Sequence, residues 1–513
     1  MFDFSSLKGF EPRQYQLDAA KTVMEKGNTL VVMPTALGKT YVALLVLANV
    51  MANKPGSRAL FLAPTKPLAS QQFKKIQETL DLGERVVLLT GEVSPEKRVP
   101  LLQSTQVICA TPQAIENDVL AGRINLNAFS LIVFDEVHRA VGDYSYSFIS
   151  QQAVKAIPSP LLLGLTASPS SEREKIKEIC KNIGATNVFV RSESDADVRQ
   201  YVQPVRVEWE FIELPQEIKE MRSDLTDILR DGVKELKNLG FLQSAEINGL
   251  NKRDILALRG TIVKNLSVDK SGFRALSIQA KVLSVMHGLD VLDSQGLSAL
   301  HAFLLSVINR EKPTKASREL ANDFRLQKTI VKTEILLKQG VDHPKFSVLD
   351  AMASDAVQRD QSVIIFAHYR DTVEKIVKML NAKNMTAAAL VGRALKNGSG
   401  MTQKKQLSVI EKFKEREFKV LVCTSVGEEG LDLTTVDLVI FFEAVPSEIR
   451  LIQRRGRCGR TKSGKVVVLV AKGTKDEAFH WISRRKEKKM QQTLKSLPQL
   501  TMGDFENDNS NLI

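Results

Sequence analysis

The chain has 513 residues, of which 43% are hydrophobic and 26% are charged, a composition typical of a globular protein too long for a single core. Lys and Arg number 72 against 59 Asp and Glu, which leaves a formal net charge of +13 and favours a polyanionic partner such as nucleic acid. Four scattered cysteines without a C-x-x-C pair, and a longest apolar run (residues 41–52) too short to cross a bilayer, argue against a disulfide-built, metal-built or membrane protein.

Short apolar runs alternate with amphipathic helical stretches in two parts of the chain, from about residue 28 to 200 and from about 345 to 470. The runs are continuously apolar, as at residues 30–33 and 420–423, which is typical of parallel strands covered by helices on both faces. Between these parts, helical periodicity dominates. We therefore predict an α/β fold of two parallel-sheet domains, residues 1–205 and 341–495, with a helical insertion at 206–340 and a disordered tail at 496–513.

The first candidate site lies at residues 34–40, between an apolar run and an apolar helical stretch. Backbone amides at the start of a helix hold phosphate groups, a lysine there neutralises the β and γ oxygens, and the next hydroxyl binds Mg²⁺. Met33 stands where the first glycine of the G-x-x-x-x-G-K-[ST] pattern is expected, so an ordinary Gly-Lys-Thr turn is the alternative. The candidate ATP-binding residues are Pro34, Thr35, Ala36, Leu37, Gly38, Lys39 (also catalytic) and Thr40 (also a metal ligand).

Two adjacent acids, Asp135 and Glu136, follow the apolar run at residues 131–134. Such a pair at the end of a strand suits a Mg²⁺ ligand, Asp135, and a carboxylate that orients or deprotonates an attacking water, Glu136. Solvated acid pairs on loops are common, but the phosphate-binding segment upstream favours the catalytic interpretation.

An arginine-rich segment at residues 453–460 is the third element, with four arginines in eight residues. Its composition alone predicts a nucleic-acid patch. The alternative is that Arg457 and Arg460, three residues apart, reach the γ-phosphate together as arginine fingers.

The order and spacing of these segments resemble the superfamily-two helicases, in which ATP binds between two RecA-like domains. Further segments resemble motifs of that superfamily at residues 13–16, 63–68, 111–112, 166–168, 366–370 and 424–433. The resemblance implies nucleotide binding by Arg13, Gln16, Gly430 and Asp432, catalysis with Gln453, Arg457 and Arg460, coupling of hydrolysis to domain movement by His138, Thr166 and Ser168, and strand contact by Thr65, Lys66, Thr111 and Thr424.

Within this superfamily, residues 13–16, 90–95 and 138–140 and the inserted helical block resemble the archaeal Hef helicase and the Fanconi anaemia M-type translocase. The resemblance implies an ATP-dependent, 3′→5′ motor for forked or branched DNA and single strands, nucleoid-associated in the cytoplasm of an archaeon or nuclear in a eukaryote. There are two departures: Ala36 replaces a glycine of the phosphate loop, and Val137 replaces an alanine. Many Hef proteins continue into a nuclease domain before which this sequence ends; whether such a nuclease is a separate partner, was removed or never existed stays open.

Basic residues of the insertion are candidate fork-DNA contacts, although by composition they are equally compatible with a solvated helix face. These candidates are Lys252, Arg253, Arg259 and Lys264. The spacing of Gln499, Met502 and Phe505 resembles a sliding-clamp docking motif. Two rival functions remain open: a duplex-RNA translocase of the Dicer or RIG-I-like kind, and a weak motor that acts as a scaffold for a nuclease or clamp.

Overall fold

The computed structural model describes residues 7–34, 37–80, 82–167, 169–170, 172–201, 206–265, 271–392, 400–424, 436–444 and 464–496. These residues form two all-parallel sheets, each flanked by helices, and a helical bundle that lies between them in the chain. The arrangement confirms the expected α/β fold with a helical insertion.

The first domain is built on a seven-stranded parallel sheet. Its strands are β1 (Thr29–Val32), β2 (Ala59–Leu62), β3 (Val86–Leu89), β4 (Val107–Ala110), β5 (Leu131–Phe134), β6 (Leu161–Thr166) and β7 (Asn187–Val190), in the order β3-β4-β2-β5-β6-β1-β7. Its helices are α1 (Gln14–Lys26), α2 (Lys39–Asn53), α3 (Lys66–Thr79), α4 (Pro95–Ser104), α5 (Pro112–Leu120), α6 (Ser145–Ala156) and α7 (Arg173–Asn182). Two separate apolar clusters cover the two faces of the sheet, which explains why its strands are continuously apolar.

The helical insertion follows a single strand, β8 (Arg206–Ile212). Its helices are α8 (Gln216–Asn238), α9 (Lys252–Asn265), α10 (Ser271–Gln295), α11 (Leu297–Ile308), α12 (Lys315–Ala321) and α13 (Phe324–Lys338). Helix α10 packs against α8, α9, α11 and α12 and so forms the centre of the bundle. Among the described residues it is the one helix long and apolar enough to cross a membrane, but 56% of its most apolar window is buried within the protein, as expected of a core helix.

The second domain contains a six-stranded parallel sheet. After α14 (Lys345–Gln358) come β9 (Val363–Phe366), α15 (Arg370–Asn381), β10 (Ala387–Leu390), α16 (Gln403–Lys414), β11 (Val420–Cys423), β12 (Leu438–Phe441), β13 (Lys465–Ala471) and α17 (Lys475–Ser496). The strand order is β10-β11-β9-β12-β13-β8, and the buried residues of these strands and of α14 share one apolar cluster.

Strand β8 corrects the expected start of the insertion at residue 206. It pairs in parallel with β13 along its whole length, from Arg206 opposite Lys465 to Ile212 opposite Ala471, and forms the edge of the second sheet. The helical part of the insertion therefore begins at Gln216, after a strand that belongs to the second domain.

Charged side chains join the insertion to the second domain. Asp290 on α10 forms ion pairs with Lys252 on α9 and with Lys475 on α17. Asp342, which follows α13, pairs with Lys375 on α15, and the same lysine donates a hydrogen bond of 2.7 Å to Ser298. The contact between these two parts of the protein is therefore fixed by specific polar pairs as well as by packing.

Candidate nucleotide-binding site

Three predicted motif segments meet at the carboxyl edge of the first sheet. The phosphate-binding segment follows β1, the acid pair follows β5 and the coupling segment begins at the end of β6, which lies between β1 and β5 in the sheet. Ligands of parallel sheets bind outside the carboxyl ends of the strands. The topology therefore brings together segments that lie far apart in the sequence, from residues 34–40 to residues 166–168.

Gly38 sets the shape of the phosphate-binding segment. It lies at the N-cap of α2 with φ +73°, in the left-handed region that favours glycine. A Cβ at this position would lie 2.8 Å from Nε2 of Gln16 and 3.0 Å from the ring of Tyr41, so the surrounding side chains also require glycine. Lys39 follows as the first residue of α2 and is buried, next to helix amides that can hold an anion.

Hydrogen bonds attach the first turn of α1 to this loop. The Gln16 side-chain amide donates to the carbonyl oxygen of Leu37 at 3.0 Å, and its oxygen accepts from the backbone N–H of Arg13 at 3.0 Å. The Tyr15 hydroxyl donates to the same Leu37 oxygen at 3.2 Å. Gln16 therefore holds the loop in place, while its recognition of adenine stays a prediction.

Asp135 and Glu136 are buried beside Lys39 and differ in their electrostatics. Burial raises the pKa of Asp135 to about 6, the charge of Glu136 adds to this shift, and the charge of Lys39 opposes it. Burial also acts to raise the pKa of Glu136, but the contact with His138 and then the charge of Lys39 lower it below its ordinary value. Glu136 is therefore the carboxylate of the pair that stays ionised over the wider range of pH, as a proton acceptor must.

The backbone at Glu136 is strained. Its φ is +48°, a left-handed conformation that a residue with a side chain rarely adopts. The conformation turns the chain directly after β5 and places the carboxylate near His138, whose Nδ1 lies 3.3 Å from Oε2 of Glu136. Strain of this kind is common at functional sites, where the surrounding structure maintains it.

His138 and Thr166, which the sequence predicts to couple hydrolysis to domain movement, are in contact. Nδ1 of His138 lies 3.3 Å from Oγ1 of Thr166, which is fully buried at the end of β6. The imidazole ring therefore joins the acid pair to β6. A displacement of Glu136 would therefore move this ring and with it the end of β6, and a displacement of β6 would move Glu136 in the same way.

Two residues that the sequence did not single out hold Asp135. Nε2 of Gln72 on α3 donates to Oδ2 of Asp135 at 2.8 Å, and the Tyr146 hydroxyl contacts the backbone oxygens of Asp135 at 2.7 Å and Leu62 at 3.1 Å. One signal was present: Gln72 shares the helical spacing of the buried Ala69 and Ile76, so it lies on the inner face of α3. Its partner depends on helix packing, which the sequence pattern does not specify.

The substitution of valine for alanine at residue 137 is accommodated by a glycine. Val137 is fully buried, and a Cβ at Gly164 on β6 would lie 3.2 Å from one of its methyl groups and 2.5 Å from Ile183. The absence of a side chain at Gly164 leaves the room that the larger Val137 needs.

The oxygen atoms at this site suit Mg²⁺ held partly by a nucleotide. Thr40 and Asp135 supply hard oxygen ligands, and in the described ranges no group of three or more His, Cys, Asp or Glu side chains is arranged to hold a metal ion. Mg²⁺ commonly binds through one or two protein oxygens, with phosphate oxygens and water completing its shell. The residues present therefore fit that ion together with a bound triphosphate.

The predicted strand-contacting residues lie at the carboxyl edges of the two sheets. Thr65 caps α3, with its hydroxyl accepting from the N–H of Leu68 at 3.4 Å, and Lys66 is paired with Glu92. Thr111 is the N-cap of α5, and Thr424 follows β11. Thr65, Lys66 and Thr111 therefore follow the neighbouring strands β2 and β4 on one edge.

The four basic candidates of the insertion have different surroundings. Lys252 is ion-paired with Asp290 and lies 3.4 Å from Nδ1 of His287, so its charge is used within the protein. Arg253, Arg259 and Lys264 are exposed on α9. Of these four candidates, Arg253, Arg259 and Lys264 are therefore the ones on the exposed face of α9.

Several predicted residues lie outside the described part of the chain. They are Thr35, Ala36, Ser168, Gly430, Asp432, Gln453, Arg457 and Arg460 of the ATP motifs, and Gln499, Met502 and Phe505 of the clamp-like segment.

Family descriptions match the chain in the order of its domains. Residues 13–176 match "DEAD/DEAH box helicase", residues 217–341 match "Putative ATP-dependent RNA helicase, helical bundle", and residues 344–462 match "Helicase conserved C-terminal domain". The middle match begins within α8, in agreement with the assignment of β8 to the second sheet.

Curated relatives cover nearly all of this chain. It is 40% identical to "Putative ATP-dependent RNA helicase MJ1505" of Methanocaldococcus jannaschii (96% of this chain, 61% of the relative) and 31% identical to "Fanconi anemia group M protein homolog" of Mus musculus (91% and 25%). It is 32% identical to "ATP-dependent DNA helicase mph1" of Neurospora crassa (91% and 42%). The chain thus spans between a quarter and about three fifths of the length of these relatives.

A solved structure matches both fold and sequence. The Pyrococcus furiosus Hef helicase domain has a TM-score of 0.73 and 42% identity to this chain, over 92% of this chain and 98% of that one. Since that domain is matched over almost its whole length, and relatives of the Fanconi anaemia M type match across the sheet domains and the insertion, the chain belongs to the Hef and Fanconi anaemia M-type helicases of superfamily two.

Proposed function

We propose that this protein is an ATP-dependent, Mg²⁺-requiring DNA helicase or translocase that acts on forked or branched DNA. The observation that carries the proposal is the buried pair Asp135 and Glu136 beside Lys39, at the edge of the sheet where nucleotides bind in this fold. The likeness to the Hef helicase domain and to DNA helicases of the mph1 type supports DNA as the substrate.

The residues of the first domain have separate roles in hydrolysis. Lys39 and the first amides of α2 hold the β and γ phosphates. Thr40 and Asp135 would hold Mg²⁺, which would supply positive charge beside those phosphates. Gln72 fixes the Asp135 carboxylate through its hydrogen bond. Glu136 orients a water molecule towards the γ-phosphate and accepts its proton.

The second domain is proposed to complete the site. Gln453, Arg457 and Arg460, which lie outside the described residues, would reach the γ-phosphate when the domains close, with Gly430 and Asp432 contributing to the nucleotide site. Loss of the γ-phosphate would then release the domains. The contact between His138 and Thr166 supports a path by which the acid pair senses this movement.

Strand binding is proposed to run along the carboxyl edges of the sheets, at Thr65, Lys66, Thr111 and Thr424, with 3′→5′ polarity. Contacts of this kind are made mainly to phosphates and carry little sequence information, so recognition of the DNA is structural. Arg253, Arg259 and Lys264 on α9 are proposed to hold a duplex arm of the fork. A DNA substrate also favours location at the nucleoid or in the nucleus.

Duplex RNA is the second candidate substrate. The Methanocaldococcus jannaschii relative and the helical-bundle family are both named as putative RNA helicases, which favours RNA. Measurement of ATPase activity with single-stranded, duplex and forked DNA, a Holliday junction and duplex RNA separates the two. Forked DNA is expected to stimulate most, and stronger stimulation by duplex RNA would overturn the proposed substrate.

Charge reversal on α9 is expected to weaken binding to forked DNA. The slope of log affinity against log salt concentration is negative. Arg253→Glu combined with Arg259→Glu should make it less steep by about 1 for each phosphate group that the variant no longer binds. Fluorescence anisotropy with forked DNA and with single-stranded DNA measures this, and the fork is expected to lose more affinity. The matched control is Arg310→Glu combined with Lys312→Glu, which reverses two exposed charges of the same insertion in the segment after α11. An equal decrease with the control would assign the effect to net charge alone.

The partner proposals rest on the sequence. A separate nuclease would act with this motor, and a sliding clamp would bind at Gln499, Met502 and Phe505. Deletion of residues 499–513 is expected to abolish clamp binding in a pull-down with the purified clamp and to leave ATPase activity in place. An autonomous, fast unwinding rate without partners would count against a scaffold role.

A further inference from the structure

A cleft of about 480 Å³ lies at the carboxyl ends of β3 and β4, which are neighbours in the first sheet. One wall is formed by residues 91–95, which lead into α4, and the other by Thr111 and the first turns of α5. The cleft therefore separates the starts of two helices. Glu92, a carboxylate that also lines it, is paired with Lys66.

The two helices start in the same way. Ser94 and Thr111 are their N-caps, each in an extended conformation and followed by proline, and neither side chain accepts a hydrogen bond from its own helix. At the start of α4 the Glu96 carboxylate accepts hydrogen bonds from its own backbone N–H and from Ser94, whereas the first turn of α5 carries no acidic residue. The remaining free amides at a helix start attract anions such as phosphate. The distance between the two helix starts determines whether a single nucleic-acid strand can contact both.

Arg98 connects these two walls. It is 5% exposed, and its Nη1 donates to the carbonyl oxygen of Val93 at 3.2 Å, while its Nη2 donates to Oδ1 of Asp118 on α5 at 2.9 Å. Its Nε is buried without a hydrogen-bond partner although the side chain lines the cleft. One guanidinium group thus spans the distance from the start of α4 to the body of α5.

Asp118 is shared by a second arginine. This carboxylate is fully buried, and its Oδ1 also accepts from Nε of Arg123, which follows α5, at 2.7 Å. Glu96, in the first turn of α4, interacts electrostatically with both Arg98 and Arg123. Two carboxylates therefore balance the two guanidinium groups, and the cluster acts through its directed hydrogen bonds.

We propose that Arg98 and Asp118 are positioning residues for nucleic-acid binding. Together they fix the starts of α4 and α5 at the spacing at which both engage the phosphate backbone of one bound strand. Arg98 acts through the two helices, and its side chain, with Nε buried without a hydrogen-bond partner, lines the cleft between them. This inference rests on the proposed function and adds to it the device that sets the spacing of two contact points.

The test compares two arginines that share one carboxylate. Arg98→Met removes the link between the helices, whereas Arg123→Met removes a partner of Asp118 without touching α4. With Arg98→Met, the concentration of single-stranded DNA that half-saturates the ATPase is expected to rise about tenfold or more, with a much smaller change in kcat at saturating DNA. With Arg123→Met it should stay near the wild-type value.

Arg98→Lys keeps the charge but makes fewer directed hydrogen bonds, so its half-saturating concentration of single-stranded DNA should lie between those of the wild type and of Arg98→Met. The test therefore does not depend on the methionine variant alone. If Arg98→Met and Arg98→Lys lower only the melting temperature, or if Arg123→Met raises the half-saturating concentration equally, the inference is overturned. If duplex RNA stimulates the wild-type ATPase and DNA does not, DNA is not the substrate. The same comparison of Arg98 and Arg123 variants, made with that RNA, then tests the positioning role.

Discussion

Glu136→Gln is expected to reduce the rate of ATP hydrolysis by about 10²- to 10⁴-fold, the contribution of a general base, while nucleotide binding stays close to that of the wild type. The amide has the size of the carboxylate but cannot accept a proton from water. The contacts proposed for Lys39 and Asp135 with the phosphates and the metal ion do not involve this side chain. Single-turnover hydrolysis measures the first effect, and equilibrium binding of a fluorescent ATP analogue measures the second.

The electrostatics of the pair explain why the two acids are not interchangeable. Burial raises the pKa of Asp135 to about 6, whereas His138 and Lys39 keep the pKa of Glu136 low despite its burial. Glu136 is therefore ionised at neutral pH and can accept a proton. Glu178→Gln is a suitable control, because Glu178 is an exposed glutamate of the same domain. Its carboxylate accepts a hydrogen bond from the Gly142 backbone N–H. Hydrolysis near the wild-type rate in Glu136→Gln would show that another group activates the water.

Much of the fold follows from local sequence. The apolar runs at residues 30–33 and 420–423 predict strands buried on both faces, and β1 and β11 are such strands. The second sheet was harder to delimit, because β8 precedes the insertion in the chain and pairs with β13, which follows it. That pairing depends on a contact distant in sequence, and periodicity within a segment carries no information on it.

The sequence predicts the parts of the candidate site that lie at strand ends. It does not predict the contacts that depend on how the helices pack. Lys39 and Asp135 each follow a parallel strand, so the sheet brings them to one edge. The hydrogen bond from Gln72 to Asp135 requires the particular rotation and position of α3 over the sheet. In the same way, Lys252 was expected to face DNA, but the packing of α9 on α10 turns it towards Asp290.

A buried ion pair in the second domain gives the second large expected effect. Lys345, the first residue of α14, is 0% exposed and pairs with Asp476 on α17, which is 6% exposed. Lys345→Met is expected to lower the free energy of unfolding by about 3–5 kcal/mol, because it leaves a carboxylate buried without its counter-ion. By contrast, Lys338→Met breaks an exposed pair with Glu334 and should cost less than about 1 kcal/mol.

Tryptophan fluorescence during urea unfolding can report this change selectively. The chain has two tryptophans, Trp209 on β8 and Trp481 on α17, and both rings contact His480 in the second domain. The double variant Lys345→Met with Asp476→Leu removes both charges, so it should recover most of the stability that the single variant forfeits. A double variant as unstable as Lys345→Met would mean that the destabilisation comes from packing around the lysine stem and not from the unpaired charge.

The pH dependence of the Lys345→Met variant provides an independent check of the same electrostatic argument. Burial raises the pKa of Asp293 on α10 to about 6, the charge of Asp476 raises it further, and the charges of Arg222 and Lys345 lower it. A carboxyl group whose pKa is higher in the folded state binds more protons there than in the unfolded chain, so stability falls as pH rises through that range. Without Lys345, both carboxylates lose a nearby positive charge, and the destabilisation of the variant should be larger at pH 8 than at pH 5. Equal destabilisation at the two pH values would indicate that Lys345 stabilises the protein through its packing and its contact with the Phe442 ring, whose centroid lies 5.4 Å from Nζ.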